Sequence, residues 1–213
     1  MGAEQFALAG SALVEDIVGQ VTPYRGATSS PERRFVKIGR LSKTHKSRGE
    51  GLDINRLTLI DNLPPSQDDL SLTTFAGVAT TFLLSQPWCN RINAGYLGHG
   101  WDGVLGIFFF EIETNDPEMD NRLWVLVGDI PPALFAANRW PKPSDALEQY
   151  VIEMTHWVDA VKSGQSVDDL IPVCYQDTTR LIEPTMQFAE ILEKRLQFIK
   201  DELVPDTKAA ESE

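Results

Sequence analysis

The sequence predicts an α+β domain, an antiparallel sheet centred on a hairpin over 103–130 and packed by C-terminal helices. Three observations carry this. Val104-Leu-Gly-Ile-Phe-Phe-Phe-Glu-Ile-Glu113 and Arg122-Leu-Trp-Val-Leu-Val-Gly-Asp-Ile-Pro131 are short apolar runs rich in Phe, Val, Ile and Trp, separated by Asn, Asp and Pro, which is the pattern of paired strands. In the first run Val104, Phe108, Phe110 and Ile112 share one face. Leu105, Ile107 and Phe109 share the other until Glu111 and Glu113 take over, so most of this strand is covered on both sides. Helices and strands come in separate blocks along the chain, the order expected of an antiparallel sheet with helices against one face.

Taken in order, Glu4 to Val18 places Phe6, Ala9, Leu13 and Ile17 at helical spacing, and Gly19 closes the helix. Thr22 to Pro31 reads as a loop. Phe35–Leu41 and Leu52–Ile60 are expected to pair as a long hairpin with the polar run Ser42–Gly51 at its tip, and Pro64 and Pro65 stop the second strand. Asp68 to Gln86 fits a helix through Leu72, Phe75, Ala79, Phe82 and Leu83, although its threonines also suit a strand. Gly95-Tyr-Leu-Gly-His-Gly-Trp-Asp-Gly103 reads as a glycine-rich connection into the central strand. Asp129-Ile-Pro-Pro is expected to open a short helical turn running through Ala137, because proline is tolerated in a first turn.

The clearest helix begins at Ser144, expected as its cap. Asp145 and Glu148 suit its N-terminal end, Leu147, Tyr150, Val151, Met154, Val158 and Val161 form one apolar stripe, and Gly164 is the stop. Ser166 to Asp169 reads as a short turn. The last helix is expected from about Glu183 to Leu203, with Phe188, Ile191, Leu192, Leu196 and Ile199 inward. The chain is thus expected to form one domain over 1–204, made of a helix with a basic hairpin (1–65) and the core sheet with its helices (66–204). Residues 205–213, small, polar and charged, are expected as a disordered tail.

Composition narrows the function classes. The 213 residues are 42% hydrophobic and 23% charged, ordinary for a globular chain. No apolar run is long enough to span a bilayer, and Met1–Leu13 has no basic residue ahead of its apolar part, so a soluble cytoplasmic protein is expected. Cys89 and Cys174 are too few for a disulfide framework and no Asn-x-Ser/Thr site occurs, which fits a reducing compartment with inert thiols. A net charge of −12 argues against general nucleic-acid affinity. The charge is uneven, however. Between Arg25 and Arg48 eight basic residues stand against the single acid Glu32, so the rest of the chain is far more acidic than its average.

Gly98-His-Gly-Trp-Asp-Gly103 matches G-x-G-x-x-G literally but precedes a strand, where a dinucleotide fingerprint follows one and opens a helix. The same residues read as a tight turn with positive-φ glycines and Trp101 packed on the core. His99 and Asp102 in this loop form a candidate base and orienter, walled by Tyr96 and Trp101, without a recognisable nucleophile beside them. Glu153-Met-Thr-His156 has the Glu-x-x-His spacing of di-metal bundles but no second copy, and both residues lie off the apolar stripe. The spacings of Cys89, His99, His156 and Cys174 are not zinc spacings, and no metal or cofactor is expected. The basic segment has few interleaved aromatics, only Tyr24 and Phe35, so it fits an acidic partner surface, or this chain's own acids, better than stacked single strands.

At Gly100-Trp-Asp-Gly-Val-Leu-Gly-Ile-Phe, Leu123-Trp-Val-Leu-Val-Gly-Asp-Ile-Pro-Pro-Ala-Leu, Ala146-Leu-Glu-Gln-Tyr and Trp157-Val-Asp-Ala-Val the chain resembles a widespread, uncharacterised group of small soluble bacterial proteins. The likeness covers roughly 98–203 and implies no activity and no site residue. Three functions remain. The first is a non-enzymatic cytoplasmic interaction protein of the immunity, inhibitor or accessory-subunit type, with Asp116, Glu118 and Asp120 at the hairpin turn as first contacts for another protein. The second is a small hydrolase-like enzyme with its pocket at Gly95–Gly103, using His99 and Asp102. The third is a nucleic-acid-associated role through Arg33, Arg34, Lys43 and Lys46.

Overall fold

The computed structural model describes residues 52–66, 71–176 and 180–212. The helix expected over 4–18, the strand and loop expected over 35–51, and Arg33, Arg34, Lys43 and Lys46 lie outside the described residues.

Among the described residues five strands form an antiparallel meander: β1 (Thr58–Leu59), β2 (Cys89–Trp101), β3 (Leu105–Thr114), β4 (Arg122–Gly128) and β5 (Ile130–Ala136), each paired with its neighbours in chain order. The central strand is β3. Its alternation sends Phe108, Phe110 and Ile112 to one side and Leu105, Ile107 and Phe109 to the other, all of them at most 3% exposed. Burial of each such side chain contributes roughly 1.5–3 kcal/mol. Val104 sits in the turn before β3 and packs with the Leu105 side, not with Phe108 as its parity suggests. The sheet is covered on both faces rather than one. Helix α1 (Leu72–Leu84) lies over β2, β3 and β4 on the Phe108 face, and the helices after β5 close the other face.

The ambiguous threonine-rich stretch is therefore helical. Ser71 Oγ accepts the Thr74 N–H and starts α1, whose inward row is Phe75, Ala76, Ala79, Phe82 and Leu83. Helix α2 (Pro143–Lys162) buries Leu147, Tyr150, Met154, Trp157 and Val158 and stops at Gly164, where φ is +68°. Its cap differs from expectation. Lys142 precedes the helix, with its N–H on the Asp145 carboxylate, while Ser144 is buried in the first turn and bonds Glu211. Helix α3 (Met186–Phe198) starts three residues later than its pattern suggests, because Thr185 Oγ1 accepts the Phe188 N–H.

Three expectations give way. Leu52–Ile60 is not one strand. Asp53 accepts the Asn55 N–H and folds 54–56 into a 3₁₀ turn, leaving only Thr58–Leu59 to pair with Tyr96 and Leu97. Residues 130–136 form a strand, not a helical turn. Pro131 and Pro132 fall in an irregularity of the β4–β5 register, between the pairs Leu126–Ala133 and Gly128–Ile130, where neither stands in the regular ladder that would need its N–H, and β4 supplies an apolar partner to the rest of the strand. Finally, the chain does not end as a tail after 204. A π turn (Ile199–Leu203) leads into helix α4 (Val204–Glu211), because Val204 and Thr207 are buried and Asp206, Lys208 and Glu211 all find partners on other elements. No helix among the described residues is long and apolar enough to cross a membrane.

Candidate functional site

The glycine-rich stretch that carries His99 is strand, not loop. β2 runs to Trp101, and of the three motif glycines only Gly103 has a positive φ, +76°, in the turn to β3. Gly98 is required for a different reason. A Cβ there would stand 2.6 Å from the Trp124 ring, so glycine lets the buried indole of β4 pass beneath β2. Gly98 is also the extra residue of a bulge between Leu97 and His99. The bulge shifts the alternation so that Tyr96, His99 and Trp101 pair with Phe109, Ile107 and Leu105 and share one face. No phosphate cradle results, since the glycines serve packing and the strand does not open a helix.

On that face the His99 and Trp101 rings meet edge-on, 4.6 Å between centroids. The carboxylate beside them comes from α4: Asp206 Oδ2 accepts the Trp101 indole N–H at 2.9 Å and lies 3.7 Å from His99 Nε2. That nitrogen is buried and has no hydrogen-bond partner among the described residues. Asp102, the expected orienter, is engaged elsewhere, its Oδ1 accepting the Leu72 N–H at 2.8 Å at the start of α1, where the helix dipole favours an anion. The structure thus brings together His99, Trp101 and Asp206. Nothing local in the sequence marks Asp206 as a neighbour of residue 99, since both reach the site only through the sheet register and the turn between α3 and α4.

The acidic candidates divide. At the turn between β3 and β4, Thr114 Oγ1 accepts the Asp116 N–H, Asp116 Oδ1 accepts the Glu118 N–H, and Asp120 Oδ1 accepts the Arg122 N–H. Asp116 and Asp120 are half-buried and shape the turn, and burial raises the Asp120 carboxyl above its ordinary value. Glu118 is exposed, as is Glu113 two residues before the turn begins. Arg91 pairs with Glu113 at 2.9 Å and Arg122 approaches Glu111 at 3.7 Å, so the flanks are partly neutralised while the tip is not.

A second polar group joins the turn between β4 and β5 to the helices. Arg195 of α3 pairs with Asp129 Oδ2 at 2.8 Å and donates to its carbonyl, Gln176 donates to the Gly128 carbonyl, and the buried Tyr150 donates its hydroxyl to the Pro131 carbonyl at 3.1 Å. Burial is the leading influence on Tyr150 and pushes its phenol up. These groups are used in holding the edge strand. Glu153 accepts from Gln149, His156 is exposed, and no group of three His, Cys, Asp or Glu side chains among the described residues is arranged to hold a metal ion.

Cys89, on β2, and Cys174, in a bridge to Leu181, are both buried in the hydrophobic cluster under α1. Burial raises both thiols, Cys174 to about 11. Alkylation of both by a small thiol reagent is therefore expected to be slow in the native protein and fast in denaturant; fast native modification of Cys174 would show that this region opens readily.

No protein-family model, no curated protein and no solved structure matches the chain.

Proposed function

We propose that this is a non-enzymatic cytoplasmic interaction protein, of the immunity, inhibitor or accessory-subunit type, that docks its acidic body on a basic protein surface. One observation carries the reading. The described residues hold 22 Asp and Glu against 11 Lys and Arg, and five of those basic side chains are already ion-paired within the chain. The uncompensated surface charge is therefore negative. A field of this kind speeds encounter with a positive partner and discriminates against negative ones, more than it adds affinity.

The test is affinity capture from native lysate at low salt, with nuclease-treated and untreated halves, followed by binding kinetics on any captured protein. A stoichiometric protein that survives nuclease and whose association slows steeply with salt supports the reading. Glu118→Lys combined with Glu113→Lys is expected to lower its association rate by about threefold to tenfold at low salt, with little change in dissociation. Binding that is indifferent to salt and to both reversals overturns electrostatic docking. Capture of nucleic acid alone transfers the function to the basic stretch over 25–48.

A further inference from the structure

Helix α4 is held differently from the rest of the core. Of its residues only Val204 and Thr207 are buried, at 7% and 0% exposure, and the Thr207 hydroxyl bonds Leu203 on the same stretch of helix. Its remaining attachments among the described residues are polar and reach three separate elements. Asp206 takes the Trp101 indole N–H and faces His99 on β2. Lys208 pairs with Glu148 of α2, and the Glu211 carboxylate takes the Ser144 N–H at 2.8 Å and its hydroxyl at 2.6 Å at the start of α2. Arg56, in the turn before β1, donates to the Glu211 carbonyl at 3.2 Å. The joint behind α4 is equally distinctive. α3 passes into it through the π turn over 199–203, where the Val204 N–H reaches back five residues to Ile199, and Pro205 follows without an N–H.

We propose that α4 is a detachable latch. It lifts as a unit about the π turn while the sheet, α2 and α3 stay folded, and in lifting it bares the His99 imidazole, the Trp101 indole and the N-terminus of α2 on one surface. The physical reason is the kind of bond that holds it. Past the π turn α4 continues α3 with only two buried side chains, Pro205 brings no backbone N–H, and its polar anchors on other elements, apart from the half-buried bonds between Glu211 and Ser144, are exposed, where each adds little. A segment held this way opens with less free energy than the strands of the core, and opening that breaks one carboxylate anchor frees the others with it. The latch needs only these contacts and is independent of the partner reading.

Native-state hydrogen exchange of the full chain, read by NMR, tests it. The amides of 208–211, the Ser144 amide and the Trp101 indole N–H are expected to share one protection factor, at least about tenfold below that of the Phe108–Phe110 amides of β3. Glu211→Ala is expected to lower the protection of the Trp101 indole by a further tenfold or so and leave β3 unchanged, although Glu211 does not touch Trp101. Two results overturn the latch. If α4 and β3 exchange together, the helix is an inseparable part of the core. If the 208–211 amides exchange fast while Ser144 and Trp101 stay protected, the helix merely frays at its end. The wild-type comparison decides between these even if the variant fails to fold.

Discussion

Gly98→Ala is expected to destabilise the protein by about 2–3 kcal/mol in denaturant titrations, a large effect for one added methyl group. The new Cβ would meet Trp124 Cζ3 at 2.6 Å and the Ile107 carbonyl at 3.2 Å. Neither neighbour yields easily. Trp124 is fully buried, packs edge-on against Phe109 with 5.3 Å between centroids, and is anchored by its indole N–H on the Trp140 carbonyl at 2.7 Å. The Ile107 carbonyl belongs to the central strand. The indole is the cause, so the penalty is coupled to it: in a Trp124→Phe background, where the ring is smaller, Gly98→Ala is expected to cost less than about 1 kcal/mol. Equal penalties in the two backgrounds would place the clash on the β3 backbone, and the indole would no longer account for the glycine at 98.

The same pair shows what was legible in the sequence. The hairpin of β3 and β4 was legible because it is local. Alternation in Phe108, Phe109 and Phe110 and the turn residues 115–121 lie within one short stretch, and α2 shows its stripe and its stop at Gly164 in the same way. Gly98 was visible as a glycine but its reason was not, because the ring it accommodates is 26 residues downstream and two strands away in the meander. The strand β5 was misread because two prolines carry a strong local signal for a helical first turn, and only the irregular register opposite β4, which shows once the sheet is formed, makes them compatible with a strand. The stretch 205–213 reads as a tail for a similar reason. Its composition is polar, and what orders residues 205–211 are partners at positions 56, 101, 144 and 148. The candidate site inherited this limit: His99 stood out, whereas Asp206, its carboxylate neighbour, became recognisable only once the chain was folded.

Arg195→Ala is expected to cost about 2–3 kcal/mol near neutral pH, and the loss should shrink in acid. The guanidinium both pairs with the Asp129 carboxylate and bonds its carbonyl, so removing it orphans two acceptors in the turn that starts β5. The side chains are 18% and 28% exposed, which keeps the figure below the roughly 3–5 kcal/mol typical of breaking a fully buried pair. The pH dependence follows from Asp129. Burial holds its carboxyl above the ordinary value of 3.8, and the nearby Arg195 charge and hydrogen bond oppose that rise. A carboxyl raised in the folded state binds its proton more tightly there than in the unfolded chain. Its contribution therefore favours folding below 3.8 and is lost as pH climbs through the folded value. Deleting Arg195 removes the opposing influence, so the folded value rises further and ionised Asp129 becomes more costly at neutral pH only. Once Asp129 is protonated in both states, the variant lacks little more than the hydrogen bond to the carbonyl. Denaturant titrations of wild type and Arg195→Ala from neutral pH down to the carboxylate range should converge as pH falls; a constant gap would mean that Arg195 acts through packing on Tyr150 and the α3 face, with its charge contributing nothing to the hold on β5.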